Sequence, residues 1–274
     1  MVSHEIRDVI VHATCDPHLN EISYIRDLAG LARTVAQEER MKHVIRRWQD
    51  VNELRKPDRA PVWCKPGGCK GELLPPASFL CSTPLHRDIE EKLRFVLLKY
   101  DIGDDEIISD YWSVAPVIKA TPENWWGVDT NMKASGQKGG AAAYDPPLTS
   151  PDDFDRVAMP QFTYDPEATE TKRQQLQEIL GDALPVRVRI APGFDSATIV
   201  GKEYARLRGL ENLMLDTVLH QQFAHRLSRH ITDAQLRYLD TLEGIGLNMT
   251  NCDLHMLCSE SFGPPPTSGC YSLA

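Results

Sequence analysis

The chain has 274 residues, of which 42% are hydrophobic and 25% are charged, the usual balance for a globular protein with a sizeable core. Its formal net charge is −9 and its Lys and Arg residues are dispersed, which argues against a nucleic-acid or anionic-membrane surface. No run of about 18 uninterrupted apolar residues occurs, so we predict no transmembrane helix. Seven irregularly spaced Cys residues and no secretory signal pattern predict free thiols in the cytoplasm.

The predicted elements begin with an N-terminal extension over 1–19 and a helical region that Pro57 ends. A short apolar run at 60–64, between Pro and Gly signals, predicts a buried strand. A helix is predicted from Pro84 through Tyr100, because Pro84 suits its first turn and Gly103 ends it. The apolar stretch 106–114 predicts the second strand.

The second half of the chain opens with a long irregular connection over 115–164, rich in Pro, Gly, Asp and Ser. A connection of this length predicts a functional loop or lid, or else surplus loop. A helix is then predicted up to Gly181, and a third strand over 184–191. Two more helical stretches follow, the first interrupted near Gly209, and residues 247–252 are predicted to begin a fourth strand.

Alternation of strands and helices favours parallel strands joined by crossover helices. No G-x-G-x-x-G or G-x-x-x-x-G-K-[ST] motif follows a predicted strand, so nucleotide-binding open sheets lose support. A (β/α) barrel needs eight strands, whereas only about four are predicted here. The pattern therefore predicts an α/β fold, the N-terminal half of a TIM (β/α)8-type barrel, as one domain over 20–258 with an irregular tail over 259–274.

Several stretches of the chain resemble the uroporphyrinogen decarboxylase superfamily. They are LPV leading a strand, RGLENLMLD on a helix, and LDTLEGIGL running toward the next strand. The likeness covers roughly residues 22–258 and is closest to the decarboxylase-like branch of the superfamily. The resemblance implies a (β/α)8 barrel, incomplete in this chain, and the chemistry of a decarboxylase or a corrinoid-dependent methyltransferase.

Residues 59–63 read RAPVW and resemble the family segment R-x-P-V-W, which continues into M-R-Q-A-G-R. In this chain Pro66 and Cys69 stand where the two substrate-binding arginines of the family belong. Uroporphyrinogen carries many carboxylates, and binding it requires the planar fork of a guanidinium, which a lysine lacks. The loss of both arginines therefore argues against uroporphyrinogen as the substrate. Trp63 and Lys65 are predicted to contact a different substrate.

Residues 104–112, DDEIISDYW, resemble the family strand that ends in Ser-Asp, whose Asp faces the substrate pyrroles. Asp110 takes this position and is the predicted catalytic residue. We expect it near the carboxyl end of a barrel strand, where such folds place their chemistry. The alternative is an ordinary carboxylate that ends a strand or caps a helix.

Arg187 and Arg189 alternate with apolar residues in the third predicted strand. In a closed barrel one alternating set faces the interior and the other faces the helices. An interior Arg near the strand end would clamp a substrate carboxylate. An exterior Arg would instead lay its stem against a helix.

Aromatic residues in the long connection form another candidate binding surface. Trp125, Trp126 and Tyr144 would line a pocket for a flat or methylated ligand, or else pack the connection onto the barrel. Of these, Trp126 is taken as a substrate-binding residue, together with Tyr204 on a later predicted helix.

Cys252, His255 and Cys258 have the residue types of a zinc site within seven residues. Neither a strand nor a helix would place these three side chains on one side, and a fourth ligand would still be required. The His-x-Cys pair of the superfamily's zinc methyltransferases is also absent, because Met256 follows His255. We therefore predict no metal in this chain.

Three hypotheses about function follow. The favoured one is a decarboxylase-like protein of the methyltransferase type, acting on a small methylated or carboxylated substrate with a corrinoid methyl carrier. The second is tetrapyrrole decarboxylation, in which Asp110 would stabilise a protonated pyrrole without a cofactor. The third is an inactive truncated fragment. The partners considered are a small-molecule substrate, a corrinoid protein and a second copy of the chain.

Overall fold

The computed structural model of the chain describes residues 20–64, 68–136, 140, 142–189 and 200–246. The predicted extension, the predicted strand over 247–252 and the predicted tail lie outside these ranges. The chain divides into two compact units. Of the described residues, unit 1 contains those before 116 and those over 167–189, and unit 2 contains those over 116–166 and 200–246.

Unit 1 is built mainly from helices: α1 (Glu21–Ala36), α2 (Glu39–Asn52), α3 (Lys70–Leu73), α4 (Pro84–Ile102) and α5 (Pro166–Leu180), whose first residue belongs to unit 2. The Asn20 side chain caps α1 by accepting a hydrogen bond from the Ser23 amide at 3.1 Å. Pro84 opens α4, and Gly103, at φ 84°, ends it. The start at Pro84 and the end at Gly103 that were predicted for α4 are therefore confirmed.

Two short strands of unit 1, β1 (Trp112–Val114) and β6 (Val186–Val188), pair in parallel. Trp112 lies opposite Val186, and Val114 lies opposite Val188. Trp112, Val114 and Val186 are buried in the core of unit 1, and Val188 packs against this core. The same core contains apolar residues of the helices, including Ile25, Leu28, Ile89, Leu93, Leu97 and Leu180. The helices thus cover one face of the parallel pair.

The described residues form a mixed α and β structure and no closed barrel. The strand predicted over 60–64 is wrong, because this segment pairs with no strand. Its amides bind carboxylates instead: Val62 N donates to Asp105 at 2.7 Å, and Cys64 N donates to Asp104 at 2.8 Å. Within the described residues, the strands predicted over 106–114 and 184–191 are limited to β1 and β6, and residues 190–191 lie outside these ranges.

The described part of unit 2 contains four strands within the connection that was predicted to be irregular. β2 (Val117–Thr121) pairs antiparallel with β5 (Gln161–Asp165), and β3 (Asn131–Ala134) pairs antiparallel with β4 (Ala142–Asp145). The prediction that the connection over 115–164 is irregular is therefore wrong. The pairing of β2 with β5 joins residues about forty positions apart, which local pattern reading does not detect.

The helices of unit 2 are α6 (Val200–Arg208), α7 (Leu210–Leu219) and α8 (Gln221–Ile245). Gly209, at φ 87°, separates α6 from α7, as predicted, and Gly246, at φ 71°, ends α8. Their buried faces form the second core with Trp126, Leu148, Tyr204, Leu207, Leu227 and Ile231. Of the helices described in either unit, none has the length and apolar character needed to cross a bilayer.

Candidate functional site

Two arginines lie on one face of the parallel strand pair in unit 1. Arg187 lies in β6 and Arg189 directly follows it. Because side chains alternate along a strand, both lie opposite the face that Val186 and Val188 turn to the core. Arg187 is exposed, whereas Arg189 is 3% exposed. The alternation predicted from the sequence is therefore confirmed for these two residues.

Tyr111 lies beneath both guanidinium groups. The Arg187 Cζ is 4.4 Å from the centroid of the Tyr111 ring, and the Arg189 Cζ is 5.1 Å from it. At these distances the negative face of an aromatic ring attracts a cation. Ser113 lies opposite Arg187 in the strand pairing, and it is two residues from Tyr111, so both lie on the same side of the strand. We call Tyr111, Ser113, Arg187 and Arg189 the arginine face.

The arginine face reaches the carboxyl ends of both parallel strands. Arg189 N donates a hydrogen bond to Val114 O at 3.0 Å, so the last residue of β1 is joined to the residue after β6. Folds with parallel strands place their binding and catalytic groups at this end of the sheet. The arginine face is therefore the candidate site whose position best agrees with this rule.

Asp110 lies at the opposite end of β1 from the one we predicted. It is half-buried and occupies a bend two residues before Trp112, the first residue of the strand. Among the described residues, none forms a hydrogen bond or ion pair with its carboxylate. The strand is shorter than predicted and begins after Asp110, so the rule that favours carboxyl ends gives this residue no support.

Trp63 belongs to a cluster of buried charges. Its indole N–H donates to the Glu106 carboxylate, and its ring centroid lies 5.6 Å from Lys99 Nζ. Lys99 is 1% exposed, and it pairs with Asp104 and, at 3.2 Å, with Glu106. Burial raises the pKa of Glu106, while the bond from Trp63 and the charge of Lys99 lower it. The indole N–H is thus engaged within the protein, and Lys65 lies outside the described residues.

A second part of this cluster fixes the RAPVW segment and was missed by sequence reasoning. Asp105 accepts hydrogen bonds from Arg47 at 2.5 Å, and from Arg59 at 2.6 and 2.8 Å. Its backbone oxygen accepts from Trp48 Nε1 at 2.7 Å. The available signal was the run of three acidic residues directly after α4, all of which are buried. Arg59 therefore has a structural partner in unit 1.

Trp126 and Tyr204 lie in the core of unit 2, each 1% exposed. The Trp126 indole N–H donates to Glu203 Oε2 at 3.0 Å. The Tyr204 hydroxyl donates to Asp216 Oδ2 at 3.1 Å, and burial together with the Asp216 charge raises the pKa of Tyr204. Their polar atoms are thus satisfied within the core, which differs from the substrate contacts that we predicted.

Trp125 packs against two other aromatic residues of unit 2. Its ring centroid is 4.6 Å from that of Phe162 and 5.2 Å from that of Tyr238. Phe162 and Tyr238 are themselves 5.2 Å apart. Rings at these separations are in direct contact and leave no gap of ligand thickness between them. The contacts fit the alternative in which the connection packs by its aromatic residues. Tyr144 lies in β4.

Within the described ranges, no group of three or more His, Cys, Asp or Glu side chains is arranged to hold a metal ion. Cys252, His255 and Cys258 lie outside these ranges. The described cysteines, Cys64, Cys69 and Cys81, are free thiols.

Comparison with known proteins adds no relative. No family model matches the chain, and neither a curated protein nor a solved structure matches it significantly.

Proposed function

We propose that the arginine face binds the carboxylate of a small substrate. The observation that carries this proposal is the placement of Arg187 and Arg189 over one tyrosine ring at the carboxyl ends of two parallel strands. A guanidinium binds a carboxylate through two parallel hydrogen bonds, which gives both strength and orientation. Arg187 is the exposed member and makes this contact, while Arg189 adds positive charge from beneath.

The ring of Tyr111 favours binding by restricting both side chains before a ligand arrives. A long Arg side chain loses conformational entropy when it is held in one position. Contact with the ring imposes part of that loss in the unbound protein, so less is lost on binding. The two guanidinium groups also place local positive charge on a chain whose net charge is −9, and local positive charge attracts an anion.

We further propose that the chain is a decarboxylase-like protein of the methyltransferase type, with an incomplete (β/α) barrel. The parallel pair with helices packed on one face supports this fold, and the quoted motifs support the superfamily. A corrinoid methyl carrier would supply the methyl-transfer chemistry. Tetrapyrrole decarboxylation is not carried forward, because Asp110 precedes β1 and the family arginines are replaced by Pro66 and Cys69.

The binding proposal is tested by titrating acetate, malonate and succinate into the protein while following NMR chemical shifts. Arg187→Lys keeps the charge but removes the fork, so we expect carboxylate affinity to fall about tenfold. Arg46→Lys, at an arginine with 81% of its side chain exposed, is the matched control and should bind like the wild type. Equal affinities for all three proteins would exclude the arginine face as the carboxylate site.

The proposed activity needs a separate measurement. Carboxylic acids that carry an N-methyl or S-methyl group are incubated with the protein and cob(I)alamin. Transfer would break the methyl–heteroatom bond, release the amine or thiol and form methylcobalamin, which is followed by the absorbance change of the corrinoid. Arg187→Lys should slow any transfer that the wild type supports. Carboxylate binding without transfer would keep the binding site and reject the methyltransferase.

A further inference from the structure

Helix α7 presents an apolar surface to solvent. Five of its large apolar side chains are between 46% and 72% exposed, and we call them the α7 apolar face: Leu210, Met214, Leu215, Val218 and Leu219. Isolated exposed apolar residues are common on protein surfaces, whereas here five lie on one ten-residue helix, with the exposed Glu211 among them. Patches of this kind mark interaction sites.

The opposite side of α7 is fixed by a buried ion pair. Asp216 is fully buried and accepts hydrogen bonds from Arg208 Nε at 2.9 Å and Arg208 Nη2 at 3.1 Å. The Tyr204 hydroxyl also donates to Asp216, and Arg208 Nη1 donates to Leu148 O at 3.1 Å. Rotating the helix to hide its apolar side would leave these charges unpaired in the core. The apolar face is therefore held outward.

We propose that the α7 apolar face is a self-association surface on which a second copy of the chain packs its own α7 in antiparallel orientation. The five side chains offer on the order of 500 Å² per copy, so a symmetric pair that covers them fully buries roughly 1,000 Å², the lower limit for a specific interface. A two-fold contact uses the same patch on both copies, and an apolar helix face is complementary to itself. The pairing goes beyond the proposed substrate site, which lies in unit 1.

A groove at the end of α7 supports the antiparallel orientation. A cavity of about 530 Å³ lies there, and its lining includes Val218, Leu219, His220, Phe223 and Arg226. Antiparallel packing brings the first turn of one helix to the last turn of the other. Leu210 of one copy would then reach the groove of the other. The carboxylate of Glu211 would approach the end that carries the cation of Arg226, in a groove whose lining also includes Asp152.

The test measures the mass of the 274-residue chain by light scattering and analytical ultracentrifugation from about 1 to about 100 µM, a range that resolves micromolar affinity. We expect a reversible dimer. Met214→Glu places two carboxylates at the centre of the interface and should weaken dimerisation at least about tenfold. Leu236→Glu changes an apolar residue of α8 that is 51% exposed, and it should dimerise like the wild type.

Two further measurements keep the outcome clear. Circular dichroism shows whether Met214→Glu remains folded, and Met214→Cys provides a variant without added charge. Under mild oxidation Met214→Cys should form a covalent dimer beyond the wild-type background, whereas Leu236→Cys should not. The proposal would be overturned by a chain that stays monomeric throughout, by a folded Met214→Glu that dimerises normally, or by equal cross-linking at both positions. Binding to lipid vesicles in place of self-association would also overturn it.

Discussion

At the scale of single residues, the Asp105 carboxylate shows how unit 1 holds its irregular segment. The side chain is 1% exposed and pairs with Arg47 and Arg59. It also accepts the Val62 amide at 2.7 Å, so one carboxylate connects α2, the RAPVW segment and the residues after α4. A buried carboxylate is stable only with such partners, because its desolvation is otherwise uncompensated.

Asp105→Asn should therefore lower the free energy of unfolding by about 3 kcal/mol, because Arg59 loses its counter-charge and Arg47 keeps only that of Asp58. Urea denaturation at neutral pH measures this difference. Asp88→Asn is the control, since that carboxylate is 56% exposed and its ion pair with Lys92 should contribute about 1 kcal/mol or less. Equal losses in the two variants would show that Asp105 has no special structural role.

Glu21 gives unit 1 a dependence on pH. Burial raises the pKa of Glu21, but hydrogen bonds from Ser82, His86 and Thr83 outweigh it and lower the pKa from 4.5 to about 2. A carboxyl with a depressed pKa in the folded state adds stability that is fully present above the unfolded pKa. That contribution is lost as the pH falls through the folded pKa. The relevant window therefore lies between pH 4.5 and about 2.

Glu21→Gln should reduce stability at pH 7 by about 1.5–3 kcal/mol, the range for hydrogen bonds to a charged group. Its stability should also fall less steeply than that of the wild type below pH 4.5, down to about 2. Urea midpoints recorded across this range test both statements. Glu178→Gln, at an exposed position on α5, should follow the wild-type curve. An acid dependence that Glu21→Gln leaves unchanged would assign it to other carboxylates.

At the scale of elements, one glycine sets the arrangement of α6 and α7. Gly209 has φ 87°, a left-handed conformation that strains any residue with a Cβ. Its N–H bonds to Ala205 O at 2.8 Å and ends α6, while its C=O accepts from Leu213 N at 2.9 Å in the first turn of α7. This break brings Arg208 and Asp216 together across the two helices.

Gly209→Ala should lower the free energy of unfolding by about 1–3 kcal/mol. The added Cβ would be strained by φ and would lie 3.3 Å from Pro146 Cγ. Gly30→Ala is the opposite control, because Gly30 lies within α1 and a Cβ there meets nothing within 4 Å. That substitution should stabilise by about 1 kcal/mol through helix propensity. Thermal denaturation of both variants is the measurement, and a stable Gly209→Ala would refute the strain argument.

At the scale of the whole molecule, the described residues form two compact units with separate buried clusters. The predicted catalytic residue Asp110 and the two arginines belong to unit 1, while Trp126 and Tyr204 belong to unit 2. The family resemblance, the strand alternation and residue type together grouped these positions into one expected substrate site. Of these residues, the site we propose retains only the two arginines, because both lie on the same side of the strand and over the same tyrosine ring.

The sequence by itself determined the helices. Pro84, Gly103, Gly209 and the apolar spacing of α1 are local signals, and a helical hydrogen bond closes within four residues, so its partners are always close in the chain. The same reasoning placed Arg187 and Arg189 on one side of a strand, because side-chain alternation is also local.

Tertiary structure alone decided which extended segments became strands and which polar residues became buried anchors. Residues 60–64 look like a strand, yet their amides bond to carboxylates about forty positions later. Tyr111 and Arg187 meet only because β1 and β6 pair across more than seventy residues. Such contacts depend on closing long loops, whose entropic cost varies slowly with length, so the local pattern holds little information about the partner.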